Sequence, residues 1–133
     1  MIGNVRASFT SERDPELTLT FYVLTALTAL ASAVPGTLKI VGHQRMRAGA
    51  EHFGIPWNQY RLIGFAEAAA TIGVLVGLGW RPLGIAAGIG LVLLMLGALG
   101  VHLRARDKVS ATAGSAVALA IAASYVFAAI VTN

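Results

Sequence analysis

Residues 62–103 read LIGFAEAAATIGVLVGLGWRPLGIAAGIGLVLLMLGALGVHL. Two apolar runs, about 62–80 and about 83–103, are parted only by Arg81 and Pro82. At 1.5 Å per residue each run is long enough to cross about 30 Å of hydrocarbon. A two-residue break that includes a proline leaves room only for a tight antiparallel hairpin. Upstream, Leu17 to Ile40 is apolar apart from Thr, Ser and Lys39, and downstream an Ala-rich run covers about 111–132. Four such runs with almost no interior charge predict an all-α integral membrane four-helix bundle, antiparallel and up-down, with spans at about 17–40, 62–80, 83–103 and 111–132.

The composition of the whole chain points the same way. Of 133 residues, 56% are hydrophobic and 12% charged, and the mean hydropathy is +0.73, outside the range of a soluble globular domain. A single transmembrane domain over residues 1–133 accounts for the length. The net charge of +4 comes from ten Lys and Arg beside the apolar runs; this is a topology signal rather than a phosphate-binding face, so no nucleic-acid partner is expected. With no cysteine in the chain, disulfides, thiolate metal sites and thiol redox centres are excluded. Met1 to Glu16 is polar and carries acids where a cleavable leader needs a basic stretch and then an apolar one, so the first span is expected to stay in the mature protein.

Lys39, Arg45, Arg47, Arg61, Arg104, Arg106 and Lys108 fall on the side of the first-to-second and third-to-fourth loops, whereas Arg6, Arg13 and Arg81 fall on the other. This imbalance predicts a multi-pass protein of the cell membrane with those two loops cytoplasmic and both termini outside. Gly73 and Gly77, and Gly84 and Gly88, form two G-x-x-x-G pairs flanking the hairpin. Such small-residue faces bring helices into close contact within a bundle and also suit a homo-oligomer.

Thr18, Tyr22, Thr25, Ser32 and Lys39 recur at helical spacing along the first span, so this polar stripe is expected to face the bundle. Pro35 and Gly36 weaken that helix one turn before Lys39. Between the first two spans, Met46, Ala50 and Phe53 share one side of a short amphipathic helix from His43 to Gly54, while His43, Arg47 and Glu51 share another. That pattern fits an interfacial helix, and Trp57 with Tyr60 are aromatic types that settle at the headgroup boundary.

Ionisable residues within a membrane bundle are costly and therefore mark functional positions. Lys39 ends one descending span, Glu67 lies early in the ascending one, and His102 ends the next descending one, with His43 and Arg61 bordering the same depth. Flank charges that snorkel to the surface account for Lys39, Arg61 and His102 but not for Glu67. Among Phe65, Ala66, Ala68 and Ala69, Glu67 must pair with a cation or take up a proton; Lys39, Arg61 and His102 are its available partners. Glu67 and His102 are thus the candidate acid–base residues, and Lys39, His43, Arg61, Ser32 and Tyr22 the candidate ligand-binding residues. No metal site is expected, and a histidine without a second axial partner reads as a hydrogen-bonding group rather than a haem ligand.

Several of these residues occur in short segments: Gly36 to Lys39, Gly42-His43-Gln44-Arg45-Met46, Gly54-Ile55-Pro56, Arg61-Leu62-Ile63-Gly64 with Glu67, and His102-Leu103-Arg104. In these segments the chain resembles the DoxX-like family of small four-helix membrane proteins, over roughly Leu17 to Val131. The resemblance implies the four-helix fold. Because the wider group is linked to quinone-dependent respiratory and sulfur-oxidising complexes, it also implies a lipophilic redox partner, with quinone as the cofactor and a membrane or peripheral redox protein as a partner.

Two functions from different classes follow. The first is a binding module or complex subunit that holds a quinone- or lipid-like small molecule among its helices, anchored by Glu67, Lys39 and His102. The second is a cofactor-independent membrane enzyme of isomerase or hydrolase type, using Glu67 and His102 for acid–base chemistry on an apolar substrate such as an epoxide. The sequence leaves open whether the protein is catalytic.

Overall fold

The computed structural model describes residues 14–133. The leader reading and the flanking Arg6 and Arg13 lie outside these residues. Among the described residues the chain is all helical: α1 (Pro15–Val41), α2 (Gln44–Phe53), α3 (Trp57–Val76), α4 (Arg81–Arg104) and α5 (Val109–Val131). The helix ends follow local chemistry. Asp14 caps α1 by accepting a hydrogen bond from the Glu16 amide, with Pro15 in the first turn, where its missing N–H costs nothing. The short α2 is capped by His43, whose Nδ1 accepts from the Arg45 amide.

Two boundaries differ from the sequence reading. The second long helix starts at Trp57 rather than about 62 and ends at Val76 rather than about 80, and Gly77 to Trp80 make the turn. Arg81 and Pro82 do not form that turn; they open α4. Proline favours the first turn of a helix, while the two nearby glycines readily leave one.

Helices α1, α4 and α5 are each long and apolar enough to cross a membrane, and α3, counted above as a span, is not among them. Its first residues, Trp57-Asn58-Gln59-Tyr60-Arg61, are largely polar, and Glu67 and Thr71 lower its average further. Those last two are turned inward, since the buried residues of α3 are Gly64, Glu67, Thr71, Gly73 and Val74.

Each long helix packs against two others: α1 against α3 and α5, and α4 against α3 and α5. Phe21, Val74, Leu91, Ala122 and Tyr125 form a shared apolar core. Small residues set the close approaches. A Cβ added at Gly77 would lie 2.5 Å from Gly84 Cα, so the α3–α4 turn is closed by glycine against glycine. Gly88 meets Tyr125 and Val126 of α5 instead, so the second glycine pair serves two different interfaces rather than the hairpin alone. Near the α3–α4 turn, the Arg81 guanidinium stacks 3.6 Å from the Phe21 ring centroid.

Candidate functional site

The site starts from two glycines. A Cβ on Gly64 of α3 would lie 2.6 Å from Lys39 Cβ, and a Cβ on Gly36 of α1 would lie 3.1 Å from Glu67 Cβ. Only backbone fits between α1 and α3 here, and that proximity brings the two long side chains together. Lys39 Nζ donates to Glu67 Oε1 at 3.0 Å and to Oε2 at 2.9 Å. Glu67 is 2% exposed and Lys39 9%, so each charge has exchanged water for the other, which is how an ion pair is tolerated in an apolar bundle. One turn further along α3, the Ser32 and Thr71 hydroxyls lie 2.6 Å apart and fix the register of α1 on α3.

Beside the ion pair is a cavity of about 360 Å³. Lys39 and Glu67 form one wall; Ile63, Leu94, Met95 and Val101 contribute apolar surface, and Tyr60 and His102 reach it as well. Lys39 Nζ also lies 5.4 Å from the Tyr60 ring centroid. Pro35 lies within a continuous α1. Having no N–H, it leaves the Ala31 carbonyl without its helical donor, and both residues border the cavity. The result is a mostly apolar chamber with a few polar groups gathered at one place, the usual make-up of a small-molecule site.

His102 reaches the cavity but does not meet Glu67. Its Nδ1 lies 2.7 Å from Asp107 Oδ2, and Asp107 Oδ1 lies 2.6 Å from His52 Nε2. A carboxylate only accepts, so each facing ring nitrogen carries the proton and donates. These two donors, His52 first and His102 second, hold the Asp107 carboxyl below the usual carboxylate range. Asp107 comes back onto His102 because Arg106 adopts a left-handed conformation, φ 55°, and the Asp107 amide donates to the His102 carbonyl.

The other expected ligand-binding residues lie away from the chamber. Tyr22 is 54% exposed: at about 100° per residue it falls on the shoulder of the stripe that buries Phe21, Thr25 and Ser32, so its ring turns outward. Ser32 is buried but is occupied by Thr71. Arg61 is exposed and donates through Nε to the Ile40 carbonyl, closing the end of α1. His43 is exposed and serves as the α2 cap. The sequence reading did not single out Asp107 or His52, and it placed Tyr60 only at the headgroup boundary. Among the described residues no cluster of three His, Asp or Glu is arranged to hold a metal ion.

A bundle of apolar helices with an ion pair buried between two of them defines a multi-pass membrane protein. A family model described as the DoxX-like family matches residues 23–125, and the chain belongs to that family. No curated protein and no solved structure matches it.

Proposed function

We propose that this DoxX-like protein is a single four-span membrane domain that binds a lipophilic small molecule, quinone- or lipid-like, with its polar head against Lys39 and Glu67. In this reading α3 also crosses the membrane, antiparallel to α1, because Glu67 and Thr71 are paired within the bundle rather than turned to lipid. The observation that carries the proposal is the buried Lys39–Glu67 pair in the wall of an otherwise apolar cavity of about 360 Å³. That pair offers both a donor and an acceptor to a carbonyl or hydroxyl head, while the remaining lining accepts hydrocarbon.

One contact favours a second reading, an enzyme acting on an apolar substrate. Asp107 orients His102, as a carboxylate orients a general base, and His102 faces the same cavity as Glu67. Binding is the primary reading because Glu67 is already committed to Lys39 through both carboxylate oxygens.

The test is a Lys39→Met/Glu67→Gln variant, which removes both charges and so leaves neither one buried alone. Folded variant purified in mild detergent is expected to lose most of the lipophilic molecule that accompanies the wild type. Equal retention by both would refute the anchoring role. Turnover of an added epoxide by wild-type protein alone would replace binding with the enzymatic reading.

A further inference from the structure

Phe53 and Ile55, from the C-terminal end of α2 and the segment after it, line one side of the cavity together with His102. Helix α2 packs only lightly on the bundle. Its N-terminal half is pinned by Arg47, whose guanidinium stacks 4.6 Å from the Trp57 ring centroid and whose Nε donates to the Gly42 carbonyl. Its C-terminal half is held differently. His52 reaches Asp107, the Phe53 carbonyl accepts from Arg104 Nη2 at 3.0 Å, and the Phe53 ring meets the His102 ring edge-on at 4.9 Å. Gly49 lies against the hydroxyl of Tyr60, so this half of α2 also covers a residue of the cavity wall.

The helix is bounded at both ends by left-handed glycines, Gly42 at φ 74° and Gly54 at φ 68°. Such backbone positions absorb large changes in direction without a side-chain clash, and nothing lies within 4 Å of a Cβ built on Gly54.

We propose that α2 is a lid over the cavity, and that Asp107, gripping His52 on the lid and His102 on the cavity wall, is its latch. Releasing His52 from Asp107 frees the C-terminal half of α2 to swing away from the cavity about its pinned N-terminal end at Gly42, with Gly54 giving at the far end, and opens the chamber to the water-facing end of the helices. The role of this opening, admitting and releasing a lipophilic molecule, rests on the function proposed above; the lid motion itself is measurable without any ligand.

Because the chain has no cysteine, one placed at Ser115, which lines the cavity from α5, reports access directly. The probe is a positively charged, water-borne methanethiosulfonate reagent, applied to Ser115→Cys protein in detergent. Adding Asp107→Ala, or separately His52→Ala on the exposed side of the lid, is expected to speed modification about three- to tenfold, the effect of losing one hydrogen bond from an opening equilibrium. A cysteine at Ala48, already exposed on α2, should react at the same rate with or without these changes. Unchanged Ser115→Cys rates in the His52→Ala background, with circular dichroism showing a folded protein, would overturn the lid. Faster labelling combined with no retained lipophilic molecule would keep the lid and remove the proposed ligand.

Discussion

A buried ion pair loses far more when broken than it gains when made, because removing one partner leaves the other as an uncompensated charge. Lys39→Met or Glu67→Gln alone is therefore expected to cost about 3–5 kcal/mol of stability, whereas the double variant should recover most of that loss. Thermal unfolding in detergent of the two single variants and the double one checks this. Asp107 makes stability depend on pH. Donors on His52 and His102 depress its carboxyl, so the stability it contributes is complete above its unfolded value of about 3.9 and is lost as pH falls through the lower folded value. The difference in melting temperature between wild type and Asp107→Asn should thus hold at about pH 5 and shrink toward about pH 3. Glu67 and Lys39 were legible in the sequence because a carboxylate among alanines demands a cation and few are at hand. Asp107 was not, because in sequence it is one more charge in a basic loop, and only the left-handed turn at Arg106 brings it back to His102.

Between elements, the α1–α3 contact is set by glycine. Gly64→Ala places a methyl group 2.6 Å from Lys39 Cβ and is expected to destabilise the protein by about 1–3 kcal/mol while disturbing the ion pair. Gly90→Ala meets nothing within 4 Å and should be neutral or stabilising by up to about 1 kcal/mol. Melting temperatures of the two variants in one detergent test the contrast. The amphipathic pattern of α2 was readable from spacing, and Ala50 is buried with Met46 and Phe53 half-buried, while His43, Arg47 and Glu51 are exposed. The polar stripe of α1 was readable only in part, since Thr25, Ser32 and Lys39 are buried but Tyr22 is not. Periodicity marks a face to within a residue or so, and the edge of that face is decided by the neighbours that pack there. The start of α3 was hidden for another reason: Asn58, Gln59 and Arg61 are polar and exposed, which interrupts the apolar pattern without ending the helix.

For the molecule as a whole, the surplus of Lys and Arg beside α2 and the α4–α5 loop predicts that cysteines at Met46 and Arg106 react with an impermeant maleimide from the cytoplasmic side of intact cells or vesicles, and one at Arg81 from the opposite side. Labelling of all three from a single side would contradict a bundle in which α3 and α4 both cross. The chamber beside Lys39 and Glu67 is expected to be occupied in the working protein. Mass spectrometry of organic extracts, comparing purified wild type with an Ala98→Phe variant whose new ring fills the cavity lined by Ala98, tests it most directly. The wild type should yield a lipophilic small molecule at roughly one per chain and the folded, cavity-filled variant only a small fraction of that; no such molecule from the wild type, or equal amounts from both proteins, would contradict the account.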